Sequence, residues 1–166
     1  IREVHQLDVV LYPSRLLPPE TIGVWQAGMS ELDMTRLVDF YPNGVKDQFM
    51  IGTMSGEDIK KLLQDRSRES YSVDVEVAGV RYHVHYVGGI PQFSYFEVER
   101  GRPLEDKTQY RVAISEFFYF SGATFPGYKY RNGMNFSFSE SSRGVSARSA
   151  LLAYLRQRRD PPFLTA

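Results

Sequence analysis

The chain has 166 residues, enough for one domain with a sizeable core. Its 20 basic and 20 acidic side chains cancel, which excludes the general basic footprint that binding to nucleic acid or an anionic membrane surface needs. It has no cysteine, which excludes a disulfide framework and thiolate zinc, and no apolar run approaches the length of a membrane span.

The sequence opens at Ile1 without a methionine or a signal-peptide pattern, and its first apolar strand comes at Leu7 to Leu11. A start this abrupt is expected of a piece of a longer chain or of a mature product. Pro13, Pro18 and Pro19 punctuate the loop that follows. "DMTRLVDFYP" predicts a helix with Thr35 as N-cap, Leu37, Val38 and Tyr41 at helical spacing and Pro42 as the stop, and Asn43-Gly44 supplies a turn. "QFMIGTM" reads as a strand. It leads into the clearest helix, Glu57 to Gln64, with Ser55 as cap, Asp58 at N3 and a stripe of Ile59, Leu62 and Leu63.

From Tyr71 the hydrophobic period switches to two. "VDVEVAGVRYHVHYV" sets Val80, Tyr82, Val84 and Tyr86 on one face and Arg81, His83 and His85 on the other. Gly88-Gly89 predicts a hairpin turn with "FSYFEVE" as the returning strand. A polar turn, "RGRPLEDKT", leads to a strand at Tyr110 to Ser115, which is expected inside the sheet. Four aromatics in a row, Phe117 to Phe120, then meet a loop built on Ser121, Gly122, Pro126 and Gly127. Arg131 to Ser142, rich in Asn, Gly and Ser, reads as one more strand. A closing helix spans Ala147 to Arg158, with Ser146 as cap and Leu151, Leu152 and Leu155 facing inward; Pro161-Pro162 ends it. Strands and helices mix without regular βαβ alternation, so the fold class is α+β, in a single domain over residues 1–166.

Few residues announce chemistry. His83 and His85 stand two apart on one strand face, a spacing open to metal, but only His5 exists elsewhere and a solvent-facing pair is the simpler reading. The carboxylates Asp39, Asp47, Asp58, Glu97 and Glu99 are scattered over turns, caps and strand edges. No spacing forces two of them into acid–base work. Ser141, Ser142 and Ser146 precede a helix, where capping accounts for them. No phosphate-cradling glycine loop is present. The rings at Phe117 to Phe120 either plug a core, which is the reading for Phe118 and Phe120, or form a platform for a flat ligand.

Three segments in order resemble the C-terminal domain of the 5'-nucleotidase family, the secreted or periplasmic enzymes that include UDP-sugar hydrolases. They are "DMTRLVDFYPNGVKDQFMIGTMSGEDIKKLLQ", "VAGVRYHVHY" and "GRPLEDKTQYRVAISEFFYFSGATFPGY", and the closing helix "ARSALLAYLRQ" fits as well. The third is the most specific, matching a Gly-Lys-Pro-Leu-Asp-Pro-Asp-Lys-Thr-Tyr-Arg-Val-Ala-Thr-Asn-Asp-Phe run that ends in Gly-Gly-Asp-Gly-Tyr. The resemblance implies that fold and a nucleobase held between two rings. Phe117, at the end of Ser115-Glu116-Phe117, takes the place of one ring; Gly122 and Tyr128 keep part of the glycine loop. Asn43 stands where the family's turn carries the second ring, and Arg15 is the one arginine available in "LYPSRLLPPE", where the family has a glycine-rich arginine loop. Ala123 or Pro126 stands where the loop's acid is expected.

The resemblance also implies an upstream metallophosphatase domain that holds the divalent metals and catalytic residues, with no cofactor in this chain and a periplasmic or extracellular parent enzyme. The expected role is a substrate-recognition domain that binds a nucleoside or nucleotide and is inert alone. Two alternatives stand beside it. One is a degenerate structural or interaction module without nucleotide binding. The other is the same domain in a metallophosphatase relative with another substrate, such as a thiosulfohydrolase.

Overall fold

The protein is described by a computed structural model, which covers residues 2, 5–13, 48–71, 73, 75–116, 137–138, 145–146, 149–150 and 153. The order of elements is β1 (Val9–Pro13), β2 (Gln48–Ser55), α1 (Gly56–Ser70), β3 (Val75–Ala78), β4 (Val80–Val87), β5 (Ile90–Val98), a 3-10 turn (Glu99–Gly101), β6 (Arg102–Pro103), β7 (Gln109–Ser115), β8 (Ser137–Phe138) and β9 (Val145–Ser146). The larger sheet runs β3-β1-β7-β2-β8, with β9 also on β2; a second sheet runs β4-β5-β6. β7 lies inside the sheet, as its sequence predicts, parallel to β1 and antiparallel to β2. The mixed sheets and helix make the class α+β.

The larger sheet buries both faces, which explains why β1 and β7 are nearly continuous apolar runs. On one face Val9, Leu11, Met50, Met54, Val112 and Ile114 pack under α1, which contributes Ile59, Leu62 and Leu63. Each fully buried side chain of this kind stabilises the fold by ~1.5–3 kcal/mol. The opposite face carries Leu7, Val10, Phe49, Ile51 and Ala113.

α1 begins as the sequence predicts. Ser55 Oγ accepts from the Asp58 backbone N–H at 3.1 Å and donates to Asp58 Oδ2 at 2.6 Å. It ends later than Gln64, at Ser70, with Tyr71 in the left-handed region at φ 54°. The buried stripe continues through Arg66 and Ser67, at 3% and 0% exposure, and polar residues there hide the last turns from a hydrophobic pattern.

The period-two stretch after Tyr71 is two strands in two sheets, not one. The break is Gly79, at φ +93°, where a Cβ would lie 1.9 Å from the Asp8 carbonyl oxygen. No side chain fits there, and the chain turns the corner between the sheets. The hairpin turn at Gly88-Gly89 forms as expected, with both glycines at positive φ (58° and 79°) and Val87 paired to Ile90.

β5 carries one extra residue opposite Tyr82, a bulge between the Arg81–Glu97 and His83–Ser94 pairs. Tyr95 accommodates it at φ 53°. The bulge brings Phe93 and Phe96, three apart in sequence, to one face, where both meet the Tyr82 ring, at 5.0 and 6.1 Å between centroids. The apolar face of β4 does not continue into the core: Val84 and Tyr86 are 36% and 60% exposed.

The "RGRPLEDKT" turn is less polar in role than in composition. Leu104 is 2% exposed, and the Asp106 and Thr108 carbonyls accept from the first two N–H groups of α1, Glu57 and Gly56, each at 3.1 Å. Helix starts leave such donors unpaired, so this turn serves as a second cap. At the other end of the chain, Ser146 Oγ accepts from the Ser149 N–H at 2.9 Å, as expected of an N-cap, and Ser149, Ala150 and Ala153 are helical. The expected core leucines of that helix, and the expected helix and turn between Thr35 and Gly44, lie outside the described residues. No helix among the described residues is long and apolar enough to cross a membrane.

Candidate functional site

Phe117, Arg15, Asn43, Gly122 and Tyr128 all lie outside the described residues. The described residues fix where their segments join the sheet. β1 ends at Pro13, two residues before Arg15; β7 ends at Ser115, two before Phe117; β2 begins at Gln48, five after Asn43. Leu11 pairs with Ile114 and Phe49 with Ser115, so these three points lie in one row at one end of the sheet. β1, β7 and β2 are neighbours, which puts the row at about 10 Å across. The same row extends to Ser146, the cap of the last helix, through its pairing with Gln48.

That end of the sheet has an aromatic floor. Tyr12 and Phe49 come from strands on either side of β7, and their rings meet at 5.6 Å and 43°. Side chains alternate across a sheet, so Tyr12, Phe49 and Ser115 share one face, and the small, fully buried Ser115 lets the two rings approach over the middle strand. Sequence reasoning missed this pair. Its signal was present, an aromatic at the sheet-end position of both "LDVVLY" and "QFMIG" with a serine in the strand between, but strand order is needed to read it.

The specific "GRPLEDKTQYRVAISEFFYF" segment therefore serves two ends of the sheet. Its first half caps α1, with Glu105 N–H donating to the Tyr110 hydroxyl at 2.9 Å, and its second half leads β7 into the Phe117 segment. The approach of the cap is close enough to dictate a glycine. A Cβ on Gly56 would lie 2.2 Å from the Glu105 carbonyl oxygen.

Among the described residues no group of three or more His, Cys, Asp or Glu side chains comes together. His83 and His85 are exposed, and His83 stacks on Tyr95 at 4.8 Å, so its ring packs on an aromatic. The two perturbed phenols have structural causes. Burial, then the charge of Glu76, raises Tyr82; a hydrogen bond to the Glu97 carboxylate, then its charge, raises the exposed Tyr95.

The overall fold is similar to solved structures of much longer proteins. NAD nucleotidase (NadN) from Haemophilus influenzae matches with a TM-score of 0.62 and 16% identity, over 99% of this chain and 28% of that one. The 5'-nucleotidase precursor from Thermus thermophilus matches with 0.62 and 16%, over 94% and 30%. The sulfate thiohydrolase SoxB from Thermus thermophilus, in complex with glycerol, matches with 0.60 and 17%, over 98% and 30%. The chain thus spans about a third or less of the proteins whose fold it shares. No curated protein sequence matches it. Residues 23–129 match the family "5'-nucleotidase, C-terminal domain", which covers more than half of the chain and includes both the α1 cap and β7. The chain belongs to the 5'-nucleotidase C-terminal domain family.

Proposed function

We propose that this chain is the substrate-recognition domain of a 5'-nucleotidase-like phosphohydrolase, folding as one domain over residues 1–166 and inert without an upstream metallophosphatase domain. The observation that carries this reading is the row formed by Pro13, Ser115 and Gln48, from which the segments bearing Arg15, Phe117 and Asn43 leave one end of the sheet beside the Tyr12–Phe49 floor. Phe117 is the stacking ring for a nucleobase, Arg15 and Asn43 supply polar contacts, and Gly122 and Tyr128 belong to the loop that closes over the ligand. Divalent metals, which activate water in such hydrolyses, are assigned to the upstream domain, as the family resemblance implies. The parent enzyme is placed in the periplasm or outside the cell, as the family resemblance implies.

Binding by this chain alone should be weak. One stacked face contributes ~1–3 kcal/mol, against an association cost of about 4 kcal/mol or more. The test is titration of adenosine, uridine and their monophosphates followed by NMR. Millimolar-range shifts of the Phe117 amide, lost in Phe117→Ala, are expected. The absence of any shift at millimolar ligand would leave the chain a structural or interaction module, and sub-micromolar binding would mean that other residues hold the base. The similarity to the SoxB thiohydrolase favours a second reading, in which the parent enzyme acts on a sulfur oxyanion substrate. Thiosulfate in place of nucleoside in the same titration distinguishes the two.

A further inference from the structure

We infer that the outward face of the β4–β5 hairpin binds one divalent transition-metal ion between the imidazoles of His83 and His85. The hairpin's other face is occupied, since Tyr82 and Phe96 pack against the main core. The residues that alternate with them make the outward face. The register sets His83 opposite Ser94 and His85 opposite Gln92, so four donor side chains form a rectangle across the two strands. Its sides are about 7 Å along a strand and about 5 Å between strands. Two exposed imidazoles rooted that far apart need only lean together to bring one nitrogen each to ~2.0–2.1 Å from a shared ion.

The bulge in β5 orients one of the two rings. Tyr95, at φ 53°, is in a region that a tyrosine rarely adopts, and it stands 62% exposed on the surface. Bulges re-aim side chains in this way. There it stacks on His83 at 4.8 Å and 28°, and its hydroxyl donates to the Glu97 carboxylate, which holds the phenol in turn. Stacking covers a face of the imidazole and leaves both nitrogens, at its edge, open to a ligand. Partners that hold a ligating histidine in one orientation raise its affinity for the ion. Arg81 lies on the same face but opposite Glu97, so the pair adds no net charge that would repel a cation.

The donors select the ion. Imidazole nitrogen suits copper, nickel and zinc, whereas magnesium and calcium take oxygen ligands. Two protein nitrogens leave coordination positions that the Gln92 amide oxygen, the Ser94 hydroxyl and water can fill. The site is therefore weaker than a four-ligand structural zinc centre, and it should take copper(II) more tightly than nickel or zinc.

The test is calorimetric titration of zinc, and separately of copper(II), joined to NMR of the histidine ring nitrogens during the zinc titration. The chain carries His5→Ala, which removes the histidine outside the pair. The expected result is one ion per chain, with the His83 and His85 rings shifting together, copper(II) tighter than zinc and no response to magnesium. His83→Ala and His85→Ala should each abolish one-to-one binding, and because both side chains are exposed their removal leaves the core intact. Tyr95→Ala should weaken binding about tenfold at unchanged stoichiometry. No ring shift at millimolar zinc would overturn the proposal, as would binding that survives loss of both histidines. Two independent ions per chain, one on each ring, would overturn it too. Unchanged affinity in Tyr95→Ala would refute the role given to the bulge.

Discussion

Gly56→Ala tests the account of the α1 cap, because two ordinary expectations for it oppose each other. In a helix, alanine in place of glycine is worth about 1 kcal/mol in favour of folding. At this position the added Cβ would lie 2.2 Å from the Glu105 carbonyl oxygen and 2.9 Å from its carbon. Both atoms are backbone, so no side-chain rotation relieves the contact, and the Leu104–Thr108 turn must retreat from the helix. That retreat breaks the Gly56–Thr108 and Glu57–Asp106 hydrogen bonds, each worth ~0.5–1.5 kcal/mol. It also lifts Leu104, now 2% exposed, partly from a site whose full burial is worth ~1.5–3 kcal/mol. Two bonds and about half of that burial, less the helix gain, leave a net loss of about 2 kcal/mol. Urea unfolding should show a lower midpoint with an unchanged slope. Equal or greater stability in Gly56→Ala would refute the close approach of the turn and with it the structural role given to "GRPLEDKT".

Leu62→Ala should cost ~2–5 kcal/mol in the same assay, since Leu62 is 1% exposed in the core between α1 and the sheet; a loss under half a kcal/mol would show the α1 stripe to be superficial. The raised Tyr82 phenol favours the neutral ring in the folded state, so its contribution is whole below its ordinary pKa of 10.0 and is lost as pH rises through the raised value. Tyr82→Phe should therefore lose stability less steeply above that pH, and an identical pH slope would show that the phenol does not sense burial. The isolated chain should hydrolyse neither AMP nor a UDP-sugar, with or without divalent metal. Metal-dependent turnover that disappears in Phe117→Ala would overturn the assignment of catalysis to an upstream domain.

Local signals that operate over a few residues were legible in the sequence. Ser55 and Ser146 as caps, the Gly88-Gly89 turn and β7 as an inner strand all follow from chemistry within one turn or one strand, and the structure has them. The end of α1 was not legible, because Arg66 and Ser67 continue its buried stripe with polar side chains. Nor was the corner at Gly79, whose need for glycine comes from the carbonyl of Asp8, far away in sequence. The candidate site divides in the same way. Phe117, Arg15 and Asn43 could be named from a motif resemblance, each in its own segment. That their segments leave the sheet from one row, beside rings from β1 and β2 meeting over Ser115, depends on the strand order β1-β7-β2. Hydrophobic periodicity tells each strand which face to bury but carries no information about its neighbour, and only the packed sheet makes that choice.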